Sequence, residues 1–369
     1  MKRFSLLSVL SGGSIFDILY RNFRRVFDEI FSKKKQVPID DKEEGKHEFF
    51  IKNKALFDEL ETVRADLYQV YAFRKKLAPC VLLLSFMFFS LIFFWVLKND
   101  IGNWIISISL LLFIALAAAM YYYLVDPKYR YVSLYKKAFL PKIVKEIGDF
   151  TYEHEPRSAI NIRDFENSYI VYPHGACIVE DHLKGEYKGT SIEISEIKLL
   201  LPFGVSSSYE YVFRGMAIFI DIRKKRFLGK TVICPYRKEL FLELDHHKGL
   251  KRIKFSARDF EKVFNVFGSD QVEAHYLVDP AMMEHLMHLR ETCDERGLAA
   301  SFYDNKVLIM MSGSHNHFEP ADLEIPATDP RSILSMKKEI GEILSLIDRL
   351  NLYDPRDVHQ DREPLDEAI

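Results

Sequence analysis

The sequence predicts an α+β protein with a two-helix transmembrane hairpin, a helical cytoplasmic stalk and a mostly antiparallel, β-rich cytoplasmic domain. Two uncharged apolar segments, residues 77–97 and 104–125, indicate the hairpin. Helical repeats of apolar residues on both sides of these segments indicate the stalk. From about residue 161 onward, short β-rich runs alternate with turn residues and with two separate helical segments. Local strand pairing with segregated helices is typical of the α+β class.

These patterns divide the chain into six regions. They are an N-terminal cytoplasmic helical region (1–76), the transmembrane hairpin (77–125), a stalk helix (126–150), a soluble α+β domain (151–320), a C-terminal helix (321–351) and an acidic tail (352–369). The tail contains two prolines and few apolar residues, so we expect it to be disordered.

Each apolar segment is long enough to cross a hydrocarbon layer of about 30 Å at 1.5 Å per residue. Only residues 98–103 separate the two segments, so the second helix must return beside the first. A channel or transporter usually carries ionisable side chains inside its spans, and these segments have none. We therefore predict a membrane anchor rather than a conduction pathway, with Ala115 and Ala119 forming a surface for close helix approach.

The charges that flank the hairpin predict its orientation. Arg74, Lys75 and Lys76 precede the first span, and further basic residues follow the second, whereas the connecting loop contains only Lys98 beside Asp100. Because Lys and Arg near membrane ends are retained on the cytoplasmic side, both termini are predicted to be cytoplasmic. The four cysteines are widely separated and include no CxxC pair, which fits a reducing compartment.

The region before the hairpin contains two helical patterns. Residues 15–31 combine an apolar period with a basic border. This segment is either an amphipathic helix on the anionic inner leaflet or a helix packed on the soluble domain. Further along, Leu56, Leu60, Val63 and Leu67 form a coiled-coil seam, which we expect to pair with the helix after the hairpin as an antiparallel stalk. The alternative is that the two helices pack separately on the domain.

Turn and cap residues organise the soluble domain. A turn at Lys188-Gly189 predicts one β-hairpin, and Asp304-Asn305 predicts another. The dipeptides Asp279-Pro280 and Asp329-Pro330 each supply an N-cap followed by a first-turn proline, so each predicts the start of a helix. Residues 209–222 read as a long strand between these signals.

Three segments carry a family resemblance: residues 179–196, the strand with Phe213-Arg214-Gly215-Met216, and residues 264–274 followed by Asp279-Pro280. Over roughly residues 125–320 the chain resembles the bacterial membrane-protein family catalogued as domain of unknown function thirty-one thirty-seven. Its most specific part is the Ser-Asp-Gln-x-Glu-Ala stretch. The resemblance implies a two-span hairpin before a soluble domain, and hence a multi-pass protein of the bacterial plasma (inner) membrane. It implies no activity and no catalytic residue.

The sequence contains fragments of ligand-binding motifs but no complete one. Gly229-Lys230-Thr231 lacks the earlier glycine of a phosphate-binding loop. The histidine pairs His246-His247 and His315 with His317 lack a third metal ligand, so we predict no cofactor and no metal. The net charge of −2 argues against a nucleic-acid partner. Asp181, Arg214 and Asp270 lie in the family-like segments. They are weak candidates for binding, because carboxylates and an arginine can form either a polar site or structural ion pairs.

Two functions follow from these observations. The leading hypothesis is a non-enzymatic, membrane-anchored module whose cytoplasmic domain binds an unidentified protein partner, with self-association as a further contact. The alternative is a membrane-tethered enzyme of unknown reaction with a site around Asp181, Arg214 and Asp270. A catalytic site requires these three side chains to converge in one pocket, whereas their dispersal favours the binding module.

Overall fold

The computed structural model describes residues 51–99, 104–156, 160–170, 176–203, 208–222, 226–236, 249–291, 293, 297–313, 318–329 and parts of 340–348. The chain divides into two compact units, Met1–Asp41 and Lys42–Ile369, and all described residues belong to the second. The predicted helix at 15–31 and the predicted tail at 352–369 lie outside the described residues.

The helices and strands follow one another from the hairpin into the domain. The helices are α1 (Lys54–Lys98), α2 (Trp104–Leu134), α3 (Leu140–Ile147), α4 (Ile162–Ser168), α5 (Arg258–Val263), α6 (Gln271–Leu277) and α7 (Pro280–Glu291), and a π-helical turn (Tyr135–Phe139) joins α2 to α3. The strands are β1 (Phe150–His154), β2 (Ala176–Tyr187), β3 (Thr190–Phe203), β4 (Ser208–Asp221), β5 (Thr231–Pro235), β6 (Lys251–Ile253), β7 (Phe264–Gly268), β8 (Leu298–Tyr303) and β9 (Lys306–Ser312).

Helices α1 and α2 form the hairpin and are each long and apolar enough to cross a membrane. Within the apolar segments, the side chains of Leu84, Phe94 and Leu111 are 65%, 67% and 65% exposed. No part of the described chain covers these surfaces. An exposed apolar surface of this extent is typical of contact with a membrane or with another protein.

Aromatic rings contribute to the contact between the two hairpin helices. The ring of Phe113 on α2 packs against Phe86 and Phe89 on α1, with centroid separations of 6.3 and 5.6 Å. Ala115 and Ala119 are exposed. The prediction that these alanines mediate the close approach is therefore wrong, because α2 turns its Phe113 face toward α1.

The halves of α1 and α2 that lie next to the domain pair with each other and also pack in the core of the domain. Leu60 on α1 is buried in the same apolar core as Tyr131 on α2, and Leu56, Val63 and Leu67 pack against that core. Both predicted arrangements of the stalk are therefore present, because the two helices pair with each other and also pack on the sheet.

The helix after the hairpin is not regular. The backbone N–H of Leu140 donates to the carbonyl of Tyr135, which is the wider spacing of a π-helical turn. Pro141 explains this feature, because proline has no N–H and its ring clashes with the carbonyl four residues earlier in an α-helix. The predicted stalk helix ends at Ile147, and Phe150 already begins β1.

The described strands form one antiparallel sheet of nine strands, in the order β1-β2-β3-β4-β9-β8-β5-β7-β6. Lys188 and Gly189 connect β2 to β3, and Asp304 and Asn305 connect β8 to β9, as predicted. Lys188, Gly189 and Asp304 have φ angles of 49°, 78° and 50°. These left-handed conformations are typical of two-residue hairpin turns. The pairing of β4 with β9 joins the two parts of the sheet.

Helices cover both faces of this sheet. The stalk and α5 to α7 pack on one face, where the apolar core includes Leu183, Ile218 and Ile309. Buried residues of the predicted C-terminal helix, Ile340 and Ile343, belong to the same core. On the opposite face, Phe165 of α4 lies in a second core. The result is the α+β architecture that the sequence predicts.

Candidate functional site

A buried cluster of polar side chains centres on Asp181. Its side chain is fully buried and accepts hydrogen bonds at both oxygens. The Nζ of Lys136 lies 2.6 Å from Oδ2, the hydroxyl of Tyr152 donates to Oδ1, and Nδ1 of His154 lies 3.1 Å from the same Oδ1. Glu196, 5% exposed, stands beside Asp181 on β3. We call these five residues the Asp181 cluster.

Three elements bring the cluster together. The π-helical turn carries Lys136. Tyr152 and His154 are alternate residues of β1, so their side chains lie on the same face of the sheet. The register aligns His154 with Asp181, and Asp181 with Glu196. The pairing of β2 with β3 is irregular between Val179 and Asp181, so Asp181 follows a local bulge.

The cluster is a buried ion pair supported by hydrogen bonds, as expected of a structural contact. The side chains of Lys136 and Asp181 are 6% and 0% exposed, and such a buried ion pair requires further hydrogen bonds to offset its lost hydration. Tyr152 and His154 provide them. Burial, and then the charge of Asp181, raise the pKa of the Tyr152 phenol, so it stays protonated as a donor. Glu319 adds a carboxylate 3.9 Å from Lys136.

Arg214 lies on the same sheet face as Asp181 but on β4, with β3 between the two strands. Glu196 pairs with Met216 on β4, and Lys198 pairs with Arg214 in the next row. Lys198 is itself buried and bonded to Glu180, the residue at the bulge. The structure thus places Asp181 and Arg214 in adjacent rows of one charged region.

Asp270 is in a different part of the domain. Its carboxylate caps α6 by accepting hydrogen bonds from the backbone N–H groups of Val272 and Glu273. Strands β2 and β7 are six positions apart in the sheet. At about 4.8 Å per strand this separation is roughly 29 Å. The three residues Asp181, Arg214 and Asp270 therefore do not meet in one pocket, and any binding role for each stays a prediction.

The Ser-Asp-Gln-x-Glu-Ala stretch, residues 269–274, forms hydrogen bonds that fix the loop at residues 228–230. The buried carboxylate of Glu273 accepts hydrogen bonds from the backbone N–H groups of Leu228 and Gly229, at 2.7 and 2.6 Å. Ser269 Oγ accepts from the N–H of Lys230. A Cβ atom on Gly229 would lie 2.5 Å from Ser269 Oγ, so a side chain there would displace this hydroxyl from its contact with Lys230. These contacts attach the loop to α6, so the stretch has a structural role.

Residues 318–329, which we call the clamp segment, join the sheet to both hairpin helices. On α1, Arg64 donates to the carbonyl of Leu323 at 2.7 Å, and Lys75 lies 2.6 Å from Glu324. On α2, Lys128 lies 3.1 Å from Asp322. The clamp segment therefore binds the hairpin where its helices enter the domain.

Sequence reasoning identified Asp181 but missed Lys136, Tyr152 and Glu273. Lys136 and Asp181 are distant in the sequence, so no local spacing indicates their contact. Glu273, by contrast, follows Asp270 by three residues, the spacing of a helix N-cap and its N3 glutamate. That signal was present in the sequence. Among the described residues, no three His, Cys, Asp or Glu side chains are grouped as a metal site requires.

The fold and these contacts define a class of protein, an α+β domain built on an apolar helical hairpin. Residues 211–352 match the family described as protein of unknown function (DUF3137), which confirms the family that the sequence resemblance predicts. The matched segment begins in β4 and includes the Ser269–Ala274 stretch and the clamp segment. The hairpin, Lys136 and Asp181 precede it. No curated protein and no solved structure gives a significant match.

Proposed function

We propose that the protein is a membrane-anchored module of the bacterial plasma membrane whose cytoplasmic α+β domain binds a protein partner. One observation carries the anchoring. The single helix α1 has Phe57 and Leu60 in the core of the domain, while Leu84 and Phe94 on its other half are exposed. A domain that shares a continuous helix with its anchor is held at a fixed distance from the membrane.

The charged residues at the hairpin ends support a cytoplasmic domain. Arg74, Lys75, Lys128 and Arg130 lie at the end of the hairpin that enters the domain. Basic residues at this end favour its retention on the cytoplasmic side. Both termini would then lie in the cytoplasm.

A binding function is favoured over catalysis because the candidate carboxylates are already engaged in contacts within the domain. The carboxylate of Asp181 is fully buried, and both of its oxygens are engaged by neighbouring side chains. Asp270 is engaged as a helix cap. An acid or base in catalysis must reach the substrate. Asp181 and Asp270 instead stabilise the domain, which leaves its outer surface as the functional part.

Two exposed apolar side chains on that surface are suitable reporters of a partner. Leu228, 51% exposed, belongs to the loop that Glu273 holds, and Tyr276, 42% exposed, follows Glu273 on α6. Aromatic side chains such as that of Tyr276 are enriched in protein interfaces relative to the rest of the surface.

Site-specific photo-crosslinking in native membranes tests the proposal. A photoreactive amino acid replaces Leu228 or Tyr276, and Thr151 on β1, exposed at the other end of the sheet, is the matched control. We expect the first two positions to yield the same discrete protein adduct, identified by mass spectrometry, and the control to yield none. The absence of any protein adduct at Leu228 and Tyr276 would refute partner binding at this surface.

A further inference from the structure

Two arginines, one from each hairpin helix, share a single carboxylate next to the apolar segments. Arg74 on α1 lies with Nη1 3.0 Å from Oδ2 of Asp126, and Arg130 lies with Nε 2.9 Å from Oδ1. Two guanidinium groups and one carboxylate leave one net positive charge. We call these three residues the arginine site.

The side chains of the two arginines differ in exposure and in the number of contacts that hold them. Arg74 stacks on the ring of Tyr123 at 4.1 Å and donates to the Tyr123 carbonyl, and its side chain is 15% exposed. The side chain of Arg130 is 66% exposed, and its contact with Asp126 uses only Nε. Arg74 is thus fixed in position, while the terminal nitrogens of Arg130 form a fork that can bind a phosphate.

The position of the arginine site matches the depth of lipid headgroups. The apolar segment of α2 ends at Val125, so Arg130 lies about 7 to 8 Å beyond it at 1.5 Å per residue. The headgroup layer adds about 5 to 8 Å on each side of the hydrocarbon. Phe73 and Tyr122, 64% and 70% exposed, flank the site. Exposed tyrosine side chains such as that of Tyr122 are typical of the membrane–water interface.

We propose that Arg74, Asp126 and Arg130 bind the phosphate of an anionic phospholipid. This inference rests on the proposed anchoring and adds a lipid partner to it. Anionic headgroups are favoured over phosphocholine because the arginine site has a net positive charge, and phosphocholine already carries its own compensating cation. The nearby acidic residues of the clamp segment are paired with Lys75 and Lys128 and so do not cancel this charge.

The test uses the purified full chain in lipid nanodiscs that contain phosphatidylcholine and a minority of fluorescent phosphatidylglycerol. Energy transfer from a donor dye at the base of the hairpin measures how strongly the anionic lipid is enriched around the protein. We expect enrichment for the unaltered chain, and a reduction by at least about threefold for Arg130→Gln, since the amide lacks the charge and the fork of arginine. The control Lys98→Gln removes an exposed cation at the opposite end of the hairpin and should leave the enrichment unchanged.

The outcomes separate this proposal from the anchoring. A chain that does not enter nanodiscs would refute both. If the unaltered chain and the Arg130→Gln variant both enter nanodiscs and enrich the anionic lipid equally, the arginine site alone is refuted. Soluble glycerol phosphate in excess should not displace the lipid, whereas displacement would reassign the site to free phosphates.

Discussion

The ammonium of Lys136 and the carboxylate of Asp181 lie 2.6 Å apart, and each comes from an irregular part of the backbone. Lys136 belongs to the π-helical turn before Pro141, and Asp181 follows the bulge in β2. The pair connects the helix that leaves the hairpin to the sheet of the domain. It is therefore a direct mechanical link between the proposed anchor and the proposed binding module.

Lys136→Met should destabilise the protein strongly. The substitution leaves Asp181 buried without its counter-charge, and breaking a buried pair in this way costs about 3–5 kcal/mol. Adding Asp181→Asn to the same chain should restore much of the loss, because the amide is uncharged and still accepts from Tyr152. Urea unfolding of the full chain measures both effects. Equal stability of Lys136→Met and the unaltered protein would show that the pair has no structural role.

Glu273→Gln should loosen the loop that begins at Leu228. A hydrogen bond to a charged group contributes about 1.5–3 kcal/mol, and the amide can replace only one of the two acceptors. Hydrogen exchange at the N–H groups of Leu228 and Gly229 should become faster. The control Glu284→Gln, at an exposed position on α7, should leave exchange unchanged. Unaltered protection from hydrogen exchange in Glu273→Gln would show that Glu273 does not hold the loop.

Leu60→Asp should release the stalk from the domain. Leu60 is 2% exposed, and an unpaired charge at this position costs several kcal/mol. Limited proteolysis should then cut the segment between residues 51 and 76 more rapidly. Ile51→Asp is a suitable control because Ile51 is 73% exposed. If both variants resist protease equally well, the seam does not pack on the core.

Stability should fall in mild acid partly because of His182. Burial lowers the pKa of His182 below its ordinary value of 6.5, and its Nδ1 lies 2.8 Å from Ser195 Oγ. The unfolded state therefore binds the proton more readily, so stability is lost as the pH falls below about 6.5. In His182→Asn, the difference in unfolding free energy between about pH 7.5 and 5.5 should be smaller. An identical difference in both proteins would exclude His182 as a source.

The parts of the fold that depend on local signals could be predicted from the sequence. The turns at Lys188-Gly189 and Asp304-Asn305 indicated two of the β-hairpins, because left-handed turn residues determine where adjacent strands reverse. The helix starting after Asp279 followed from its capping carboxylate, which accepts from the N–H of Met282.

The parts that depend on distant contacts could not be predicted. The apolar period of the stalk continues through Phe150, yet Phe150 pairs with Gly185 as the start of β1. Tertiary pairing outweighs helical periodicity at this point. Asp181 was a candidate on the family resemblance alone, and its partner Lys136 became apparent only when the π-helical turn placed it over the sheet.

Cysteine labelling in intact cells tests the anchored orientation most directly. In a chain without its native cysteines, one cysteine replaces Asn99 in the turn of the hairpin, or Glu284 on the exposed side of α7. The account predicts that a membrane-impermeant maleimide labels Asn99→Cys in intact cells and labels Glu284→Cys only after the membrane is permeabilised. Labelling of Glu284→Cys in intact cells, with protection of Asn99→Cys, would contradict a cytoplasmic domain on a membrane-crossing hairpin.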